Sequence, residues 1–158
     1  MKAAPYSDQK NWSNDYLTDP ELIKLLGPFD CDVATPETMP WPTAKKMIAP
    51  REDGLAAPWK GRVFMNPPYR GVCAWAKKFI EHGNGIALLN GRSTETRATQ
   101  GILAACHSLW LPEGRLTFFK TTGKPWEQKW FSSLLIGMRA KDATKLRAAA
   151  KVYGGMVF

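Results

Sequence analysis

Two consecutive prolines, Pro67 and Pro68, stand one residue behind the run Arg62-Val63-Phe64-Met65, apolar after its first residue. Neither can donate to a β-ladder, so a strand over 62–65 must stop there and pass the chain to a stiff loop at its carboxyl end. The next segment has helical period. Val72, Trp75, Ala76, Phe79 and Ile80 share one face of a helix over 72–82, Lys77, Lys78 and Glu81 lie on the other, and Gly83-Asn84-Gly85 ends it. The same alternation runs along the chain. Upstream, Thr18 or Asp19 can cap a helix over 21–26 with Pro20 at its first position, Gly27-Pro28 stops it, and 29–34 reads as a short strand ending in carboxylates. The stretch 35–59 holds five prolines and is expected to be loop, with at most a helical turn near 44–48. Downstream, strands are expected at 86–89, 108–111, 115–119 and 130–136, and helices at 94–106 and 141–152, with Pro112-Glu113-Gly114 joining the second and third of these strands. The pattern is that of an α/β domain with a mainly parallel sheet.

A chain of 158 residues is one domain's worth, 1–158, and can bury roughly 70% of its unfolded surface. Its opening residues, 1–16, are polar and expected to be flexible. Lys and Arg outnumber Asp and Glu by 22 to 14, a formal charge of +8 that favours a polyanionic partner or an anionic membrane face. No stretch approaches the ~20 apolar residues of a membrane span, and Met1 to Lys10 is too polar for a secretion signal. A cytoplasmic location is therefore expected. Cys31, Cys73 and Cys106 are far apart and have no His or Cys beside them at ligand spacing, so they are expected to be reduced and buried, with no metal site.

Asn66-Pro67-Pro68-Tyr69 carries the most chemistry. The exocyclic amine of adenine is a poor nucleophile because its lone pair is delocalised into the ring. An Asn side-chain oxygen and the carbonyl of the following proline can each accept one amino hydrogen, holding the nitrogen while it becomes tetrahedral. The prolines set these acceptors in place before a substrate arrives. Tyr69 offers a face on which a base turned out of a duplex can stack, worth ~1–3 kcal/mol. The plainer alternative is a proline-rich turn with Tyr69 packed on the surface.

Several further stretches stand in order around that tetrapeptide: Trp12 with 16–20, Phe29-Asp30-Cys31-Asp32-Val33-Ala34, Asp53-Gly54-Leu55 with Trp59 and Gly61, Trp75, 86–90, and Gly114-Arg115-Leu116 with Phe118. Together they resemble the phage-type, Dam-like DNA adenine methyltransferases. The resemblance implies a compact Rossmann-like class I methyltransferase sheet with flanking helices, and methyl transfer from S-adenosylmethionine to the adenine amine of double-stranded DNA in the bacterial cytoplasm, with no metal. It implies Asn66 and Pro67 as amine acceptors, Pro68 as the stiffener and Tyr69 as the stacking residue. Thr18, Pro20, Asp30, Asp32 and Ala34 would touch the cofactor; an ionised Asp there can accept from a ribose diol. Asp53 would accept from the cofactor's adenine amine, with Leu55 against the ring. Methyltransferases of this fold carry a glycine-rich loop after the first strand, whereas 30–35 has no glycine and Ala34 supplies the small side chain. Asp-Gly is also a common turn, and the plainer alternative for Asp30 and Asp32 is a solvated strand end.

Residues 113–158 contain nine basic and three acidic side chains. Lys120, Lys124, Trp126 and Lys129 form a basic loop suited to phosphate contact and to inserting an aromatic side chain, and Arg92, Thr94 and Arg97 follow a strand's carboxyl end. Ordinary solvated loops would look similar. Two other functions fit the same residues: methylation of an RNA base or a protein glutamine amide, and nucleic-acid binding by a relative that has lost catalysis.

Overall fold

Asp19 accepts a hydrogen bond from the Glu21 amide at 2.9 Å and Pro20 takes the first position, so the first helix, α1, starts where its cap dictates and runs Pro20–Leu26. The computed structural model describes residues 16–127 and 131–158. Trp12, Lys129 and Trp130 lie outside them, as does most of 1–16. Helix α2 spans Val72–His82, the bounds read from its apolar face and from Gly83. The other helices are α3, Arg97–Ala105, capped by the Thr96 hydroxyl, and α4, Ala140–Tyr153.

The strands are β1 (Leu17–Thr18), β2 (Cys31–Asp32), β3 (Lys46–Met47), β4 (Val63–Met65), β5 (Gly85–Asn90), β6 (Ser108–Leu111), β7 (Phe118–Phe119), β8 (Ser133–Gly137) and β9 (Met156–Val157). Seven of them form one sheet in the order β3-β2-β4-β5-β8-β6-β9. β3, β2, β4 and β5 run parallel, and β8 is antiparallel to both β5 and β6. The sheet is therefore mixed rather than mainly parallel. β6 and β7 do not pair, as a link through 112–114 would suggest; β6 pairs with β8 and β9, while β7 forms a two-stranded ribbon with β1. The segment near 44–48 is the edge strand β3 and not a helical turn, because Ile48 and Lys46 donate to the β2 side at 2.8 and 3.0 Å.

Alternation along the strands sorts the side chains to two faces. Val63, Met65, Ala87, Leu89, Leu134 and Ile136 pack with Trp75, Phe79 and Ile102 of α2 and α3. Phe64, Ile86, Leu88 and Leu135 pack with Leu22, Leu26, Leu146 and Ala149 of α1 and α4. The result is three layers with a core on each side of the sheet.

Arg62, expected as the first residue of a strand, stands just before β4 and is buried. Its Nε donates to Asp142 Oδ1 at 2.7 Å, Nη1 donates to the Leu26 and Pro28 carbonyls at 2.8 and 3.0 Å, and the guanidinium lies 4.5 Å from the Phe29 ring centre. Asp142 Oδ2 in turn accepts from the Arg139 amide at the start of α4. One cation thus ties the end of α1, the root of β4 and the start of α4. The three cysteines are free, but only Cys31 is fully buried; Cys73 is exposed on the first turn of α2. Among the described residues no helix is long and apolar enough to cross a membrane.

Candidate functional site

From β2 the chain moves outward to β3, and from β4 it moves the opposite way to β5, so the loops at the carboxyl ends of these neighbouring strands diverge. A crevice at such a switch point is where open α/β sheets hold ligands. A cleft of about 410 Å³ opens there, lined by 33–36 behind β2, 48–50 behind β3 and 66–69 behind β4, with Tyr16, Leu17, Asp53, Gly54 and Trp75 completing it. Its size is that of a small-molecule site.

Pro67 is buried, and Asn66 is fixed from the other side. Asn66 Nδ2 donates to the Tyr16 carbonyl at 3.1 Å and to Thr18 Oγ1 at 3.4 Å. A carbonyl can only accept, so this contact decides which way the amide faces. Among the described residues nothing donates to Oδ1. Thr18 therefore reaches the site through Asn66, and β1 is held in place by its pairing with β7.

Tyr69 is 51% exposed at the cleft mouth, its ring 5.4 Å from that of Phe131. Desolvation, with the Tyr16 phenol adding to it, pushes its hydroxyl up to about 12, so it stays protonated at neutral pH. Tyr16 extends the aromatic wall, contacting Phe131 and Trp126, each at 5.3 Å between ring centres.

Asp53 and Gly54 form the far wall. Asp53 has φ 51°, in the left-handed region that residues with side chains rarely adopt, and its Oδ1 accepts from the Leu55 amide at 3.0 Å. A Cβ on Gly54 would stand 2.2 Å from the Val33 carbonyl oxygen and 2.5 Å from the Trp75 ring. Only glycine lets the loop press that closely. Leu55 is partly buried against the core and does not line the cleft.

Among the other proposed cofactor residues, Ala34 lines the cleft and Pro20, Asp30 and Asp32 do not. Asp30 lies before β2, accepting from Lys45 Nζ and the Arg62 amide, each at 2.8 Å; those bonds, Lys45's first, hold its carboxyl below the usual range. Asp32 lies directly behind the cleft wall, 4% exposed, with Oδ2 accepting from the Thr43 hydroxyl at 2.5 Å and Oδ1 from the Ala34 amide at 3.2 Å. It is not a solvated strand end.

Burial outweighs both of those bonds and pushes Asp32 up to about 6. A carboxyl raised on folding holds a proton between roughly pH 4 and 6 that the unfolded chain has lost, so its contribution to stability is present at low pH and disappears as pH rises through that window. Asparagine can keep both bonds by donating to Thr43 and accepting from Ala34. Denaturant titrations at pH 4 and pH 7 should therefore show Asp32→Asn gaining on the wild type by about 2 kcal/mol over that interval. A pH-independent difference would remove the buried titration.

The basic residues occupy the same end of the sheet. Arg92, Thr94 and Arg97 are exposed behind β5, in the Gly91–Ser93 turn, just after it, and at the start of α3. Lys120 and Lys124 close a turn beyond β7, with Lys120's amide donating to the Lys124 carbonyl at 2.8 Å. Trp126 is half-buried against Tyr16, with Lys120 Nζ 4.8 Å from its ring centre, so it is part of a packed wall and not a free wedge. Tyr16 and Trp75 line the cleft with no sequence signal that assigns them to it, since one sits at the end of a polar opening and the other reads as helix core. Comparison with protein-family models, with curated proteins and with solved structures yields no match.

Proposed function

We propose that the chain is an S-adenosylmethionine-dependent DNA adenine methyltransferase with a Rossmann-like sheet. The observation that carries this reading is the setting of Asn66: its amide nitrogen is tied down by Tyr16 and Thr18, and the residue lines a ligand-sized cleft. The cleft suits the cofactor. Val33, Ile48, Pro50 and Trp75 give apolar walls for a purine, Asp53 supplies an acceptor, and the Gly54 backbone approaches where no side chain fits.

Asn66 Oδ1 and the Pro67 carbonyl accept the two hydrogens of the adenine amine and hold its lone pair toward the cleft. Tyr69 receives the flipped base on its exposed face. S-adenosylmethionine, held by Val33, Ile48, Pro50, Trp75 and Asp53, would supply an electrophilic methyl carbon for the amine lone pair, with the sulfur–carbon electron pair left on sulfur and one amine proton going to water. Arg92, Arg97, Lys120 and Lys124 face the phosphates around the extruded base.

Incubation with labelled S-adenosylmethionine and duplex DNA, RNA or protein should place the label on the adenine amine of DNA. Tyr69→Ala should raise KM for duplex by roughly 5–100-fold through lost stacking, with cofactor affinity unchanged. Label appearing only in RNA or protein would overturn the substrate assignment, and an unchanged KM would remove Tyr69 from base capture.

A further inference from the structure

By sequence Lys78 belongs to the polar face of α2, yet its ammonium is committed to the loop over 53–57. Nζ donates to the carbonyls of Gly54 at 3.2 Å, Leu55 at 2.7 Å and Ala57 at 2.6 Å, and lies 4.8 Å from the centre of a Trp59 ring. An ammonium has three protons, and here three acceptors of one short loop converge on it. Trp59 Nε1 adds a bond to the Gly54 carbonyl at 2.7 Å. Lys78 does not line the cleft, whereas the first two residues of the loop, Asp53 and Gly54, do.

Asp53 needs such support. Its left-handed backbone is costly for a residue with a side chain and persists where the surroundings over-determine it. Within the loop, the Ala56 and Ala57 amides, bonded to the Asp53 carbonyl at 2.9 and 2.8 Å, and the Leu55 amide on its carboxylate hold the turn. Each is local and by itself ties the loop to nothing outside it. The bonds from Lys78 are long-range, anchored on a helix packed into the core, and they set where the loop stands.

We infer that Lys78 is a positioning residue: by gathering the Gly54, Leu55 and Ala57 carbonyls it fixes the Asp53 carboxylate in the cleft wall, and so sets ligand affinity without touching the ligand. The inference rests on the cleft being the cofactor site. Lys78→Met keeps the apolar stem and removes all three donors; Lys78→Gln keeps two on a shorter stem.

The test is calorimetric titration of the full chain with S-adenosylmethionine, for the wild type, Lys78→Met, Asp53→Ala and the double variant, beside hydrogen exchange at Ala56 and Ala57. Lys78→Met should weaken binding about tenfold or more, leave kcat at saturating cofactor unchanged, and add less than about threefold once Asp53 is alanine, because the two act through one contact. The Ala56 and Ala57 amides should exchange faster, and Lys78→Gln should restore part of both effects. Wild-type affinity in Lys78→Met, or full additivity with Asp53→Ala, overturns the inference. If Lys78→Met does not fold, the same readings are taken on Lys78→Gln at intermediate size. If the wild type binds no S-adenosylmethionine, the cofactor reading fails, and exchange alone decides the clamp: accelerated Ala56 and Ala57 support it, and unchanged protection overturns it.

Discussion

Asn66→Ala is expected to lower methyl transfer by about 10²–10³-fold in kcat while cofactor affinity and the fold persist. The size follows from where the charge develops. On the proposed reading, the amine hydrogens become more acidic as the amine attacks, and the one bonded to Oδ1 is held more strongly, so the acceptor would contribute more in the transition state than in the bound substrate. Its loss should therefore appear in kcat more than in KM. Alanine also frees the Tyr16 carbonyl and the Thr18 hydroxyl from Nδ2, which sit at the edge of a wall already held by the β1–β7 ribbon. Asn66→Asp separates the two roles: it retains an acceptor but turns an oxygen toward the Tyr16 carbonyl, so it should fall between alanine and the wild type. Single-turnover kinetics with calorimetric cofactor titration checks both variants, and turnover of Asn66→Ala within a few-fold of the wild type would place Asn66 away from the reacting nitrogen.

Asp142→Ala is expected to be the most destabilising single change outside the apolar core. Arg62 is 6% exposed and Asp142 0%, so the substitution leaves a buried guanidinium without its carboxylate. Breaking such a pair costs about 3–5 kcal/mol, or roughly 6–20 °C in melting midpoint for a chain of this size. The same change deletes the acceptor of the Arg139 amide, so α4 loses its first turn's anchor as well. By contrast Lys24 and Glu21 pair at 2.5 Å on the surface, and Glu21→Ala should move the midpoint very little. Thermal unfolding of the two variants side by side makes the comparison, and equal shifts would mean that the Arg62 site is not dry.

What could be read from the sequence is what local pattern encodes. The bounds of α2 follow from its apolar stripe and Gly83, β6 from the Leu-Trp-Leu run behind Ser108, and the loop after β4 from its two prolines. β1, β3, β7 and β9 are two residues each, too short to show alternation, and β1 finds its partner about a hundred residues away. The Asp32 environment was hidden for the same reason: Thr43, eleven residues on, arrives through a proline-rich segment with no regular period. Periodicity puts Lys78 on α2, but it reports which way a side chain leaves the backbone and not where a four-carbon stem brings its ammonium. The Asn66 contact with Tyr16 lies across fifty positions of chain and has no local signature.

β4 joins two very different duties over three residues, about 10 Å of extended chain. Its root is bolted by Arg62 and its tip presents Asn66, with no slack between them to absorb a change in length. Because side chains invert with every step along a strand, a single inserted residue would aim the amide at the opposite layer while the bolt stayed fast. The loops beyond the strand can thus change in length, but the rod between bolt and amide is a ruler that must stay unaltered.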